Sequence, residues 1–192
     1  MRLILFGPPG AGKGTQATAI SDTFSLVHIA TGDIFRDNVR NKTDLGQRAQ
    51  QFMDRGELVP DEIVIAMIED RITQDDASSG FLLDGFPRTV PQAKALDHIL
   101  AAGGHGIDGV IRLLVSDDEL LSRLLGRAAE QGRSDDTQEV IENRLAVYRG
   151  ETEPLVEFYR ERGLLHEVNG EGDISEVRER VVNAVREVER ST

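Results

Sequence analysis

Residues 7–15 read Gly-Pro-Pro-Gly-Ala-Gly-Lys-Gly-Thr, and they join a short apolar run at residues 3–6 to the start of a helical pattern. Glycines in such a turn allow successive backbone N–H groups to point inward at phosphate oxygens. The N-terminus of the following helix adds partial positive charge, and Lys13 adds a full one. An ordinary glycine-rich turn is the alternative, and it does not account for a lysine at this spacing. The stretch therefore predicts a phosphate-binding P-loop.

Other short apolar runs alternate with helical patterns through the rest of the chain. Besides residues 3–6, the runs typical of buried parallel strands are residues 81–83, 110–115 and 164–168, with a weaker one at 26–29. The helical patterns cover residues 15–24, 61–73, 91–102, 137–162 and 174–189, and another begins at Ser116. This alternation predicts a three-layer α/β fold with a parallel sheet. Ligands in such folds bind outside the carboxyl ends of the strands, so the chemistry is expected directly after the apolar runs.

Two stretches interrupt the alternation. Residues 30–60 contain short helical patterns with no strand pattern between them, and residues 126–136 are polar and punctuated by glycine. Because neither stretch fits the strand–helix repeat, we expect both to be insertions that cover the ligand site.

The composition restricts the class of protein. With 192 residues, 39% hydrophobic and 29% charged, the chain suits one soluble globular domain. Its formal net charge of -12 argues against nucleic acid or an anionic membrane as a partner. The sequence has no cysteine, which excludes disulfides and thiolate metal ligands, and nothing suggests a zinc site. The apolar run at the start is too short for a signal peptide or a membrane span, so we expect a cytoplasmic protein.

The Gly-Lys-Gly-Thr ending of the loop resembles the adenylate kinase branch of the nucleoside monophosphate kinases. Four further segments fall in the order of that family. They are Thr-Gly-Asp-Ile-Phe-Arg at 31–36, Gly-Glu-Leu-Val-Pro-Asp at 56–61, Gly-Phe-Leu-Leu-Asp-Gly-Phe-Pro-Arg-Thr at 80–89 and Gly-Arg-Ser-Asp-Asp at 132–136. The resemblance covers nearly the whole chain, and the segment around residues 84–88 is highly specific.

This resemblance implies a P-loop NTPase fold with a five-stranded parallel sheet in one domain, residues 1–192. The core of that domain would comprise residues 1–29, 60–125 and 137–192. A helical insertion that binds the nucleoside monophosphate would span residues 30–59, and a short lid would span residues 126–136.

The reaction that the resemblance implies is the reversible transfer of the terminal phosphoryl group of Mg·ATP to AMP, which gives two ADP. The enzyme would be a monomer with ATP, AMP and ADP as partners, and with Mg²⁺ bound alongside ATP. A kinase for UMP, CMP or another nucleoside monophosphate is the nearest alternative. Thr31 and Gln92 favour AMP, since the pyrimidine branch generally has Ala at the position of Thr31. A P-loop protein that senses ATP without turnover would be expected to have lost Lys13 or the arginines, and none is lost.

The resemblance also implies which residues contact ATP. Arg123 would stack on the base, Arg127 would grip the phosphates, and the carbonyl of Gly172 would accept from adenine. Gly14 occupies the loop position whose Ser or Thr usually binds the metal, so Mg²⁺ is expected on ATP oxygens and waters. The family pattern gives Asp84 the role of holding those waters. The implied ATP-binding residues are Gly10, Ala11, Gly12, Lys13, Gly14, Thr15, Arg123, Arg127 and Gly172.

On the AMP side, Arg36 and Arg88 would bind the phosphate, and Gln92 would hydrogen-bond adenine. Arg133 and Arg144 would bridge the two phosphate chains, and residues 57–59 would contact adenine and ribose mainly through their backbone. The implied AMP-binding residues are Thr31, Gly32, Arg36, Glu57, Leu58, Val59, Gly85, Phe86, Arg88, Gln92, Arg133 and Arg144. The implied catalytic residues are Lys13, Arg88, Arg123, Arg127, Arg133 and Arg144.

The residues themselves support part of this assignment. Phosphoryl transfer between two nucleotides brings two anions together, and it needs no general base because the acceptor oxygen is already ionised. Arg123 and Arg127 are four residues apart in a helical pattern, so they share one face of the helix. Their mutual repulsion favours an anion between them.

Overall fold

The computed structural model describes residues 1–131 and 137–191, and it describes the side chains of all of these except residues 128–131. Within that part of the chain, five parallel strands form one sheet in the order β2-β3-β1-β4-β5. The strands are β1 (Arg2–Phe6), β2 (Val27–Ala30), β3 (Phe81–Asp84), β4 (Gly109–Leu114) and β5 (Leu165–Asn169). The predicted α/β fold is confirmed, and each predicted strand is present, including the weak one at residues 26–29.

The central strand shows why the apolar runs are continuous. Leu3, Ile4, Leu5 and Phe6 are each no more than 4% exposed. Ile4 and Phe6 contribute to the core on one face of the sheet, and Leu3 and Leu5 contribute to the core on the other. A strand that is covered on both faces has no polar side to alternate with, and this produces the three layers.

Helices flank the sheet on both faces. Their bounds are α1 (Lys13–Phe24), α2 (Thr31–Arg40), α3 (Asp44–Met53), α4 (Asp61–Ile72), α5 (Val90–Ala102), α6 (Asp117–Gln131), α7 (Gln138–Val147), α8 (Leu155–Arg160) and α9 (Ile174–Ser191). A short 3-10 turn, Asp75–Ala77, precedes β3. The cores show that α1 and α9 pack on one face of the sheet, and that α4, α5 and α8 pack on the other. None of the helices in the described ranges is long and apolar enough to cross a membrane.

The prediction of one helix over residues 137–162 was wrong. After α7 the chain forms a π-helical turn, Tyr148–Thr152, in which the N–H of Glu153 donates to the carbonyl of Tyr148. Pro154 follows, and because it has no N–H it cannot continue the hydrogen-bond ladder of the helix before it. The helical pattern therefore resumes only at α8.

Helices α2 and α3 occupy the predicted insertion, are joined by a short turn and pack against each other. Thr43 caps α3, since its hydroxyl accepts a hydrogen bond from the N–H of Gly46. A Cβ atom at Gly46 would overlap the carbonyl of Asn38 in α2. The close approach of the two helices therefore requires glycine at this position.

Helix α6 extends into the second predicted insertion. It runs without a break to Gln131, so residues 126–131 continue the helix that begins after β4. The remainder of that insertion, residues 132–136, lies outside the described residues.

Candidate active site

The P-loop connects the carboxyl end of β1 to α1, as predicted. Gly10 and Gly12 both have a φ of 86°, a left-handed conformation that favours glycine. A Cβ atom on Gly10 would lie 2.9 Å from Cγ of Leu124, so α6 packs directly against the loop there. Helix α1 begins at Lys13, and Gly14 and Thr15 are exposed in its first turn. The loop therefore presents the N-terminus of α1 to any anion bound at this edge of the sheet.

Lys13 lies at the centre of a group of cations. Its Nζ donates to the carbonyl oxygens of Gly7, at 2.8 Å, and of Pro8, at 3.0 Å. Burial, together with the charges of Arg88, Arg144 and Arg127, lowers the pKa of Lys13 to about 8 against the opposing effect of Asp84. The predicted arginines thus surround the lysine closely enough to disfavour its protonation. An anion bound among them would offset this repulsion.

Asp84 provides the opposite charge at the end of β3. It pairs with Leu5 in the sheet register, which places it beside the carboxyl end of β1. Burial alone would raise the pKa of Asp84, but contact with His28 and the charges of Lys13 and Arg88 hold it below its ordinary value. The nearest approach to His28 is 3.5 Å, between Nε2 and Oδ2. Asp84 is therefore an ionised carboxylate beside the P-loop.

Arg88 and Thr31 are both fixed to the loop that follows β3. Nε of Arg88 donates to the carbonyl of Gly85 at 2.8 Å, and the hydroxyl of Thr31 donates to the same carbonyl at 2.9 Å. Gly85 has a φ of 82°, and a Cβ atom there would lie 2.7 Å from Oγ1 of Thr31. Only glycine allows this approach of the loop to α2.

A cleft of about 620 Å³ opens between the helical insertion and the sheet. The residues predicted to bind AMP that line this cleft are Thr31, Gly32, Arg36, Glu57, Leu58, Val59, Gly85, Arg88, Gln92 and Arg144. Phe86 lines the adjoining cavity instead, and Arg133 lies outside the described residues. The structure therefore gathers the predicted AMP residues that it describes around two connected cavities.

The second cavity, of about 570 Å³, joins this cleft to the P-loop. Gly7, Pro9 and Lys13 line it on the P-loop side. Arg88 and Arg144 line both cavities. These two arginines therefore lie at the boundary between the two cavities.

The residues predicted to bind the ATP base lie on the other side of the loop. Nη2 of Arg123 donates to the carbonyl of Gly170 at 3.1 Å, just after β5, and Arg123 also approaches Gly12. Gly172, two residues further on, has a φ of 106°. Arg123 thus connects the P-loop to the segment that contains the predicted adenine contact.

One inference from the spacing of the arginines needs correction. Nε of Arg123 donates to Oε1 of Glu119 at 2.7 Å, one turn earlier in α6. Part of the charge of Arg123 is therefore offset within the helix, and the repulsion between Arg123 and Arg127 does not by itself call for an anion. Arg127 remains a member of the group of cations that act on Lys13.

Comparison with known proteins shows which family the chain belongs to. The sequence model of a family described as "Adenylate kinase" matches residues 5–164. The chain belongs to the adenylate kinase family. It is 52% identical over 191 residues to the adenylate kinase of Micrococcus luteus, which covers 100% of this chain and 93% of that protein. It is 52% identical over 186 residues to that of Thermobifida fusca strain YX, covering 97% of this chain and 98% of that protein. It is 53% identical over 185 residues to the adenylate kinase of Mycobacterium sp. strain MCS, and the match covers 96% of this chain and 99% of that protein.

Membership of the adenylate kinase family confirms the resemblance found in the sequence, and it identifies the chain as a nucleotide-binding transferase. The structure adds residues that the motifs did not indicate. Phe35, Met53 and Val64 provide apolar walls of the cleft of about 620 Å³, which is called the AMP cleft here after the residues predicted to bind AMP that line it. Phe35 is four residues after Thr31 and therefore lies on the same face of α2. This spacing could have predicted Phe35 as a residue that lines the cleft.

Asp61 is a further residue that the sequence analysis missed in this adenylate kinase fold. Residues 60–62 were interpreted only as the start of a helix, which they are. The structure shows that the carboxylate of Asp61 also accepts a hydrogen bond from Gln92, the residue predicted to contact adenine. A carboxylate at a helix start that also serves a distant side chain has no signature in the local sequence.

Proposed function

We propose that this chain catalyses the reversible transfer of the terminal phosphoryl group of Mg·ATP to AMP, with the residue roles that the family pattern implies. The observation that carries the proposal is the position of Arg88 and Arg144, which line both the AMP cleft and the cavity that reaches Lys13. Two anion sites that share their cations suit a reaction in which a phosphoryl group passes from one nucleotide to the other. Relatives of similar length that are named adenylate kinase support the choice of AMP as acceptor.

In the proposed reaction, the chain acts by positioning and by charge. Lys13 and the N-terminus of α1 hold the donor phosphates, and Arg36 and Arg88 hold the acceptor phosphate. Arg144, with Arg127 and Arg133, neutralises charge that develops between them. Each fixed donor of this kind typically contributes about 3 kcal/mol to stabilisation of the transition state. The acceptor oxygen is ionised, so no side chain needs to remove a proton.

The residues at the P-loop also fit a magnesium ion. Mg²⁺ prefers oxygen ligands and retains several waters, and it is bound through one or two carboxylates together with substrate phosphates. Asp84 is ionised, is nearly buried and lies beside Lys13, so it would hold the metal through water. When bound, the ion offsets negative charge on the phosphates. Gly14 offers no hydroxyl to the metal, which agrees with an indirect role for the protein.

We further propose that the insertion at residues 30–59 and the lid at residues 126–136 close over the bound nucleotides. The AMP cleft is lined from the insertion by Phe35, Arg36 and Met53 and from the core by Gly85 and Gln92. Movement of the insertion toward the core would therefore enclose the acceptor and exclude water, the competing acceptor. The enzyme is expected to act as a cytoplasmic monomer, as the family resemblance implies.

A coupled assay for ADP formation tests the proposal. Mg·ATP is supplied with AMP, CMP, UMP or GMP, and Arg88→Ala is measured beside the unaltered protein. Rapid turnover with AMP that falls by at least 100-fold in the variant is expected. A preference for UMP or CMP would keep the mechanism and overturn the assignments of Thr31 and Gln92. ATP binding without transfer to any acceptor would favour a nucleotide sensor.

A further inference from the structure

Asp61 and Gln92 form a hydrogen-bonded pair beside the AMP cleft, which Gln92 lines. Asp61 is the first residue of α4, and its Oδ1 accepts from Nε2 of Gln92 at 2.7 Å. Its Oδ2 accepts from the hydroxyl of Thr89 at 2.9 Å. Thr89 caps α5, and its oxygen accepts from the backbone N–H of Gln92 at 3.3 Å. The carboxylate of Asp61 is therefore held at both oxygens, and it in turn holds the end of Gln92.

The other end of the Gln92 amide is also fixed. Its Oε1 accepts from the backbone N–H of Arg88 at 2.7 Å. Gln92 is 1% exposed and lines the AMP cleft. A carboxylate only accepts hydrogen bonds and a backbone N–H only donates them. Rotation of the amide by half a turn would therefore set two acceptors against each other at Asp61 and two donors against each other at Arg88.

This fixed orientation has a consequence for the purine that Gln92 meets. An amide has two N–H groups and its oxygen has two lone pairs, and the bonds to Asp61 and Arg88 use one of each. Adenine presents a donor at its 6-amino group and an acceptor at N1. A 6-oxopurine presents an acceptor at position 6 and a donor at N1. An amide that can rotate serves either base, whereas one that cannot rotate serves only one of them.

We propose that Asp61 is a positioning residue that fixes the Gln92 amide and thereby sets the preference for a 6-aminopurine over a 6-oxopurine acceptor. The proposal deepens the proposed function and rests on it. Gln92 contacts the base, and Asp61 acts only through Gln92. A buried site whose polar groups match one partner rejects the mismatched partner strongly, because the mismatch leaves buried groups unpaired.

The test compares AMP with IMP, which differ only at position 6 and at the proton on N1. The quantity measured is the ratio of kcat/KM for AMP to kcat/KM for IMP. This ratio does not depend on how much of a preparation is folded, so a purely structural loss does not change it. Calorimetric titration of each monophosphate, in the absence of ATP, gives the same comparison without turnover.

The expected result with Asp61→Ala is a fall of about tenfold in this ratio, since one hydrogen bond to a charged group no longer opposes rotation of the amide. Asp61→Asn should retain the preference. Its amide oxygen can accept from Gln92, and its NH₂ group can donate to Thr89. Glu62→Ala is the matched control, because Glu62 is an exposed acid in the same helical turn that has no hydrogen bond to Gln92. It should leave the ratio unchanged.

Coupling to Gln92 provides a second test. In a Gln92→Ala background, Asp61→Ala should have no further effect on the ratio, because its effect passes through the amide. Should Asp61→Ala fail to fold, Asp61→Ser retains a favourable residue at the helix start but is too short to bond to the amide. It should relax the preference in the same way.

Three results would overturn the proposal. They are an unchanged ratio in both Asp61→Ala and Asp61→Ser, an equal fall in Glu62→Ala, or a fall in Asp61→Asn as large as that in Asp61→Ala. Failure of the unaltered protein to phosphorylate AMP is a different result, since it contradicts the proposed function itself.

Discussion

Lys13 donates a hydrogen bond of 2.8 Å to the carbonyl of Gly7, so the ammonium group folds back onto its own loop. Burial and neighbouring arginines lower its pKa to about 8. The ammonium charge of Lys13, which would hold the donor phosphates in the proposed reaction, is therefore unfavourable in the ligand-free protein. It lowers the stability of the fold when no ligand is bound.

Replacing Lys13 separates these two effects. Lys13→Met should reduce activity by at least 100-fold, because a donor to the phosphates is lost. It should also raise the free energy of unfolding of the ligand-free protein at pH 7 by about 1 kcal/mol, since a disfavoured charge is removed. Urea denaturation measures the second effect, and loss of stability in the variant would contradict it.

The affinity for ATP should depend on pH through the same group. Bound phosphates favour protonated Lys13, whose pKa without ligand is about 8. The dissociation constant should therefore be nearly constant up to about pH 8 and then increase by up to about tenfold per pH unit. Titration with ATP between pH 7 and pH 9.5 measures this. Lys13→Arg, which stays charged, should remove the increase.

The stability of the ligand-free protein should change in the opposite sense. The folded pKa of Lys13 is about 8 and its ordinary value is 10.5. Between these values the unfolded chain binds more protons than the folded one, so the contribution of Lys13 to stability increases as pH rises through this window. Comparison of the unaltered protein with Lys13→Met at pH 7 and pH 10 isolates this contribution. A difference that does not shrink at the higher pH would contradict the assignment.

Asp84 should matter for both metal use and acid stability. Asp84→Asn should lower kcat by about 100-fold and raise the Mg²⁺ concentration required for half-maximal rate, because the carboxylate no longer holds water on the ion. The folded pKa of Asp84 lies below its ordinary value of 3.8, so the stability that the ionised form contributes is present above that pH and is lost as pH falls below it. The stability difference between the two proteins should therefore shrink below about pH 4. Denaturation at pH 7 and pH 3 measures it.

The helical insertion offers a prediction about AMP alone. Gly46→Ala would force α3 away from the carbonyl of Asn38 and should cost about 2 kcal/mol of stability. It should raise KM for AMP more than KM for ATP, because Arg36 and Met53 line the AMP cleft from this pair of helices. Gly150→Ala is the control, since a Cβ atom there would have nothing within 4 Å. Equal changes in both KM values would show that the insertion does not act on AMP separately.

The sequence predicted the strands well because residues such as Leu3 and Leu83 are buried among apolar neighbours, so their runs are continuous. It predicted the P-loop because the chemistry of the loop lies in consecutive residues. The order of strands in the sheet is a matter of long-range pairing, and local patterns do not contain it. Pro154, which signals the end of a helix, was visible in the sequence. The helical pattern on either side of it nevertheless led to the prediction of a single helix.

The candidate site was predictable wherever a motif contains the residue, as for Lys13 and Arg88. Bonds between distant segments were not predictable from the residues alone. Asp61 meets Gln92 across 31 positions of the chain, and this contact follows from the packing of α4 against α5, which the spacing of apolar residues indicates only in general terms. The contact of Glu119 with Arg123 is different, because the two residues lie four positions apart in α6 and that spacing was visible in the sequence.

Arg88 and Arg144 border both cavities, and this has a consequence for the direction of the reaction. Under the proposed function, a cation that faces both cavities can bind the phosphoryl group before and after it crosses, so the same side chains serve transfer in both directions. The direction of net flux is set by the concentrations of the three adenine nucleotides, as for any catalyst. The enzyme would therefore return these nucleotides to equilibrium after a disturbance in either direction.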